Sequence, residues 1–242
     1  MNAIEIKELT KRYKDLTAVD RLSLEIGEGE LFSLLGVNGA GKTTTIKMLS
    51  CLTRPSGGDA LLNGKSILRD SAGVKSIIAV SPQETAVAPL LSVWENLALM
   101  AGIHGMSKAG TAAKIAELSD RLGLDTVLSR KAGKLSGGWQ RRLSIAMALI
   151  SDPEILFLDE PTLGLDVLAR SELWDLIRSL KGRMTIVLTT HYMEEAEALS
   201  DRTGIMKNGR LIALGTPAEI KARAGTERFE EAFVKLVKEA EE

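Results

Sequence analysis

The sequence predicts an α/β fold: a mainly parallel sheet covered by helices, preceded by an antiparallel β region and interrupted by a helical insertion. Three observations predict it. Short apolar runs such as Leu31-Phe32-Ser33-Leu34-Leu35 and Ile155-Leu156-Phe157-Leu158 have the length and continuous hydrophobicity of strands buried on both faces. Toward the C-terminus such runs alternate with a helical pattern, the strand–helix–strand order of a parallel sheet. Between about residues 85 and 150 the chain turns instead to Ala, Leu and Met at helical spacing.

At the N-terminus Ile4, Ile6 and Leu9 roughly alternate with polar residues, and Leu22, Leu24 and Ile26 alternate strictly. Two half-buried strands are expected there, the second ending in the turn Gly27-Glu28-Gly29-Glu30. The strand over 31–35 runs into a glycine-rich loop at 36–41, and residues 43–49 start a helix. Pro55-Ser56-Gly57-Gly58-Asp59 reads as a turn, residues 60–64 as a strand plus turn, and 77–80 as a buried strand. Helices are expected over 92–101, 108–123 and 137–150. Strands return at 155–158, 185–189 and 204–206, with a helix at 167–181 between the first two. In the tail, apolar residues at 229, 233, 236, 237 and 240 form a stripe on an otherwise charged helix, expected to pack on its own domain. The chain is thereby divided into a core of residues 1–84 and 151–220, an inserted helical subdomain of 85–150 and a C-terminal amphipathic helix of 221–242.

Composition bounds the function. The 242 residues carry 31 Lys and Arg against 32 Asp and Glu, a net charge of -1 that argues against a nucleic-acid binder. It leaves one small polyanion open, since a few local amides hold such a ligand without changing the net charge. The single cysteine, Cys51, excludes an internal disulfide framework. It is expected as a small buried residue near the end of the first helix, and His104 as a structural loop residue. No run of about 18 apolar residues occurs, and the N-terminus has neither a signal nor a transit pattern, so a cytosolic chain without a membrane span is expected.

Gly36-Val37-Asn38-Gly39-Ala40-Gly41-Lys42-Thr43 matches the phosphate-loop pattern Gly-x-x-x-x-Gly-Lys-Thr/Ser, in the required place between a buried strand and a helix. The glycines let successive N–H groups point inward at phosphate oxygens, and the helix N-terminus adds its dipole. Lys42 is expected to reach the β- and γ-phosphates and the Thr43 hydroxyl to bind Mg²⁺, with Asn38, Gly39, Ala40, Gly41 and Thr44 around the nucleotide. Asp159 emerges at the C-terminal end of the 155–158 strand, where ligands bind in open α/β sheets, and is expected to hold Mg²⁺ through water. Glu160 beside it is placed to polarise an attacking water as general base. In Leu135-Ser136-Gly137-Gly138-Trp139-Gln140 the serine suits an N-cap before an Arg-rich helix. On these residues alone, a plain capped helix and a second anion-binding helix terminus stand side by side.

Leu135-Ser136-Gly137-Gly138, placed before Asp159, resembles the signature motif of the ABC (ATP-binding cassette) ATPases, and the remaining motifs of that family follow in order over roughly residues 3–220. Tyr13 matches the aromatic that stacks on adenine, and Gln83 the glutamine of the loop joining core and helical subdomain. Leu163-Gly164-Leu165-Asp166 matches the loop after the general base, and His191 the switch histidine. Trp139 departs from the family's commonest pattern, which has glutamine there; Gln140 follows one position later.

The resemblance implies a P-loop NTPase core and a Mg²⁺-dependent ATPase. Its catalytic residues would be Glu160, His191 and Gln83, and its metal-site residues Thr43, Gln83 and Asp159. Tyr13, Asn38 to Thr44, Ser136, Gly137, Gly138 and Asp166 would contact ATP. It also implies that two cassettes face each other head to tail around two ATPs, as a homodimer or half of a heterodimer, with Ser136 and its glycines touching the partner's nucleotide. Ser81-Pro82-Gln83-Glu84 and Leu91-Ser92-Val93-Trp94-Glu95-Asn96-Leu97 resemble the export-type branch serving drug and sodium efflux. A separate membrane permease would dock near residues 83–97 and hold the chain at the inner face of the membrane. The rival reading is an ABC ATPase of a soluble complex, a cofactor-assembly scaffold.

Overall fold

The computed structural model describes residues 1–240; Glu241 and Glu242, the last two residues of the expected C-terminal helix, lie outside the described residues. Strands β1 (Asn2–Tyr13) and β2 (Leu16–Gly27) pair antiparallel, Ile4 against Ile26 and Ile6 against Leu24. Their register shifts several times along the ladder. Bulges of this kind reset which side chain faces inward, so strict alternation survives only in stretches. Strand β3 (Leu31–Leu35) is buried throughout and leads into helix α1 (Lys42–Leu49).

Strands β4 (Gly57–Leu62) and β5 (Lys65–Ser66) extend the first sheet in the order β2-β1-β4-β5. The turn expected over 55–59 is therefore shorter than its composition implies. Gly58 adopts φ +73°, and a Cβ there would lie 2.3 Å from the carbonyl oxygen of Glu8, so a glycine at this position lets β4 close onto β1. Helix α2 (Ser71–Ile77), capped by Asp70, takes Ile77 out of the following strand, β6 (Ile78–Ser81).

Helices α3 (Val93–Ile103), α4 (Lys108–Leu122) and α5 (Gly137–Leu149) occupy the Ala- and Leu-rich stretch. A Ser92–Glu95 capping box opens α3, and His104 is its C-cap residue rather than part of a free loop. Then come β7 (Ile155–Asp159), α6 (Val167–Leu180), β8 (Thr185–Thr190), α7 (Met193–Leu199) and β9 (Arg202–Lys207). Strand β10 (Arg210–Gly215) returns antiparallel through Asn208-Gly209, and α8 (Pro217–Ala224) and α9 (Phe229–Glu239) complete the described chain.

The second sheet has the order β10-β9-β3-β8-β7-β6. All its pairings are parallel except that of β9 with β10. Successive strand residues point to opposite faces, and each face has its own core. Leu156 and Leu158 of β7 pack with Val93, Leu118, Leu143 and Ile177 of the helices, whereas Ile155 and Phe157 pack with Phe32, Ile46 and the first sheet. A smaller third cluster joins Leu35 and Ile205 to Phe229, Phe233 and Leu236 of the tail helix. Each such side chain contributes roughly 1.5–3 kcal/mol on full burial, so β3, β7 and β8 are rigid supports for the loops at their C-terminal ends. Among the described residues no helix is long and apolar enough to cross a membrane.

Candidate nucleotide site

The loop between β3 and α1 curls because of its glycines. Gly41 is the N-cap of α1 at φ 104°, and a Cβ there would stand 2.4 Å from the carbonyl oxygen of Ala18. An L side chain is excluded both by the dihedral and by the contact. The next residue, Lys42, is only 5% exposed. Its ammonium donates to the carbonyls of Gly36 (2.7 Å) and Val37 (3.2 Å) and lies 3.2 Å from Glu160 Oε1. A buried cation is tolerated when it is paired and hydrogen-bonded in this way.

Strand β7 delivers both acids. Asp159 Oδ1 accepts a hydrogen bond from Thr43 Oγ1 at 3.1 Å and from Thr189 Oγ1 at 2.5 Å. Glu160 leaves the strand in the left-handed region, φ 50°, which a non-glycine residue holds only when its surroundings fix it. Thr189 fixes it: the Glu160 amide donates to both the carbonyl and the hydroxyl oxygen of Thr189, each at 3.1 Å. The Glu160 side chain reaches Lys42 with one oxygen, and its Oε2 lies 2.5 Å from His191 Nδ1. Lysine, glutamate and histidine thus form one chain of contacts at the mouth of the loop.

These groups line a cleft of about 730 Å³, a size suited to a small-molecule ligand. Asn38, Gly39, Ala40, Gly41, Lys42, Thr43 and Thr44 line the cleft together with Gln83, Glu160, His191 and Tyr13. Tyr13 is 44% exposed, and the Lys11 ammonium lies 4.9 Å above its ring. Arg141 of α5 donates to the carbonyls of Pro82 (2.7 Å) and Gln83 (2.6 Å), tying the glutamine's backbone to the helix that begins after Ser136.

The residues fit Mg²⁺. The Thr43 hydroxyl and the Asp159 carboxylate are hard oxygen donors placed side by side. Among the described residues no cluster of three or more His, Cys, Asp or Glu side chains could hold a metal by itself. One hydroxyl and one carboxylate side by side suit an ion that takes its remaining ligands from a substrate's phosphates and water.

Ser136, Gly137, Gly138 and Asp166 do not line this cleft. Ser136 stands at the N-cap of α5 but makes no side-chain cap hydrogen bond, contrary to the capping expected of it. Asp166 caps α6 through the Ala169 amide at 2.9 Å. The two form a separate exposed corner, where Gly138 packs on Ala169 and Gly137 on Leu165. Cys51 is half-buried at φ 56° rather than fully buried, and burial raises its thiol pKa.

Sequence reasoning missed Thr189, which holds both acids. Its only signal is a hydroxyl at the end of an apolar strand beside the Asp159 strand. Thr17, Ala18 and Asn208, which also line the cleft, carry no recognisable pattern.

A helix start cradled by glycine, beside a parallel strand ending in acid, defines the phosphate-loop class of nucleoside-triphosphate-binding α/β proteins. Within it the chain belongs to the ABC transporter family, whose profile, described as "ABC transporter", matches residues 19–163. The doxorubicin resistance ATP-binding protein DrrA of Mycobacterium tuberculosis is 42% identical over 226 residues, covering 92% of this chain and 68% of that one. A solved structure described as the ATP binding subunit of an ABC transporter superposes with a TM-score of 0.84 at 30% identity, covering 97% of this chain and 99% of its own. The dimeric ATP-binding cassette MJ0796, in a post-hydrolysis state bound to ADP and Pi, gives 0.78 at 28% identity, with 88% and 98% covered. The fold class and the family expected from the sequence motifs are those found.

Proposed function

We propose that this chain binds and hydrolyses ATP with Mg²⁺ and thereby powers export through a separate membrane permease. The contact chain Lys42–Glu160–His191 at the phosphate loop is the observation that carries the reading. A triphosphate in the loop competes for the Lys42 ammonium and leaves the Glu160 carboxylate to accept a proton from the attacking water. His191, on the other oxygen of Glu160, orients that carboxylate, and Gln83 contacts the water and the metal site. Tyr13 stacks on the base. Thr43 and Asp159 would hold Mg²⁺, which when bound neutralises charge on the β- and γ-phosphates.

A second cassette completes the site. Ser136, Gly137, Gly138 and Asp166 contact the nucleotide of the partner subunit, so two chains enclose two ATPs about a two-fold axis, as a homodimer. The core (1–84 and 151–220) carries the phosphate loop, the helical subdomain (85–150) carries Ser136, and residues 83–97 receive the permease, which keeps the chain at the inner face of the membrane. Drug resistance in the name of DrrA and the transporter-subunit description of the first solved structure support transport over a soluble scaffold, and the dimer of MJ0796 supports the paired arrangement. The test is co-purification of the tagged chain from detergent-solubilised membranes, with ATP turnover measured on the isolated complex. A multispanning partner is expected; recovery with soluble partners only would overturn the transport reading.

A further inference from the structure

Helix α7 opens two residues after His191, and its first turn carries Glu195, whose side chain is fully buried. A carboxyl taken out of water must find partners. Glu195 Oε1 accepts a hydrogen bond from Thr162 Oγ1 at 2.8 Å and from Trp174 Nε1 at 3.1 Å. Thr162 is itself fully buried and lies two residues after Glu160; Trp174 is on α6. One oxygen therefore joins three elements: the segment leaving Glu160, helix α6 and the helix that follows His191. A second tie runs beside it, with the Arg170 guanidinium of α6 stacked 4.7 Å from the ring of Tyr192.

Neither Glu195 nor Thr162 lines the nucleotide cleft. Their partnership bears instead on the pair that does. Glu160 sits at φ 50° and touches His191 at 2.5 Å, yet the two residues belong to segments with no covalent connection nearer than 31 residues. The β7–β8 ladder and Thr189 align the two segments as far as Asp159 and Thr189, and beyond those residues a further tie is needed to keep the Glu160 and His191 side chains in register. Burial raises the Glu195 pKa above the ordinary carboxyl range; hydrogen bonds from Thr190, Thr162 and Trp174 oppose this, and the nearby Glu160 charge adds to it. Arg141 is a neighbouring cation close enough to feel Glu195.

We propose that Glu195 is a positioning residue for hydrolysis: by joining Thr162 to Trp174 it locks the Glu160 segment to the His191 helix and keeps the Glu160–His191 contact formed. The inference rests on Glu160 being the general base. Small displacements of a reacting group cost rate far more than binding, so the strut is read in kcat and not in affinity.

The experiment measures ATP turnover, fluorescent-nucleotide affinity and melting temperature for Glu195→Ala, Glu195→Gln and Thr162→Val. Glu195→Ala is expected to lower kcat about ten- to hundredfold while nucleotide affinity stays near wild type. Glu195→Gln, which keeps an acceptor oxygen of the same shape, recovers most of the loss. Thr162→Val conserves volume and removes the other end of the contact, so it lowers kcat in the same direction even where Glu195→Ala fails to fold. In a folded double variant Thr162→Val adds nothing to Glu195→Ala. Wild-type turnover in Thr162→Val, or equal loss in the Ala and Gln variants of Glu195, would overturn the strut. Glu160→Gln is measured alongside. Should it hydrolyse ATP normally, the general-base assignment fails; should it be inactive while Thr162→Val matches wild type, the strut alone fails.

Discussion

The phosphate-loop cleft and the corner around Ser136 and Asp166 are built in opposite ways. In the cleft the charged groups are buried and committed to one another: Lys42 and Glu160 have side chains 5% and 7% exposed and lie 3.2 Å apart. At the corner Ser136, Gly137 and Asp166 are exposed, the serine hydroxyl makes no cap bond, and Val167 and Leu168 beside it stand 76% and 77% exposed. A buried charge cluster is organised by its own chain, because the cost of desolvation forces each group to find a partner within reach. The exposed serine, like Val167 and Leu168 at the start of α6, is not committed in this way. The contrast is that of groups paired within one chain against groups left at its surface, which is what the proposed two-chain site would require.

Changes in the cleft should have the largest effects. Glu160→Gln is expected to lower steady-state phosphate release by about 10²- to 10⁴-fold, the range for losing a general base, while the nucleotide still binds. Size exclusion with ATP and Mg²⁺ should then show a stable dimer. A variant that turns over normally would remove Glu160 from the chemistry. Lys42→Ala should weaken ATP binding about ten- to hundredfold, the loss of one or two charge-assisted hydrogen bonds, as read by titration with a fluorescent nucleotide.

Changes at the corner sharpen the contrast differently. Ser136→Arg should leave nucleotide binding by the isolated chain near wild type and abolish turnover of its homodimer. Mixing it with Lys42→Ala chains should restore partial activity, because the mixed dimer holds one intact site. Activity that merely sums the two separate preparations would show that the corner serves its own chain. The smallest effect concerns the strut. The folded pKa of Glu195 lies above its ordinary value of 4.5, so the native state keeps the proton that the unfolded chain gives up. This contribution to stability is complete below the ordinary value and declines as pH rises toward the folded pKa. Glu195→Gln should flatten that decline in thermal melts, whereas at low pH the two proteins should melt alike.

The legible parts of this molecule are those where local chemistry and global position coincide. Residues 36–43 announce themselves because a loop that binds phosphate with backbone amides needs glycine at fixed places. The strands over 31–35 and 155–158 are legible because burial on both faces demands an unbroken apolar run. Helices α2 and α7 carry no readable signal, since seven residues are too few for a periodicity to declare itself, and the single helix expected over 221–242 is two, α8 and α9, interrupted at the αL residue Gly225. Gly57-Gly58-Asp59 has the composition of a turn but forms strand, because contact with Glu8 lies 50 residues away in sequence and decides the matter. Thr189 and Glu195 were invisible for the same reason. A threonine ending a strand and a glutamate in an acidic helix start are ordinary until tertiary contacts bring Asp159 or Thr162 to them.

The strand order has a consequence in time. Strand β3, which carries the phosphate loop, has β8 and β9 as its neighbours, and both come from sequence more than 145 residues downstream. During synthesis Leu31–Leu35 emerges early and waits on the order of ten seconds for β8, at ordinary ribosomal rates. Until then the apolar strand has no sheet to enter, Asp159 and Thr189 have not met, and the loop has no floor. The floor of the nucleotide site, built on Asp159 and Thr189, is complete only after that interval. The nascent chain must shelter that strand by other means, and the first sheet, whose strands β1, β2, β4 and β5 all lie before residue 67, is the part able to assemble in the interval.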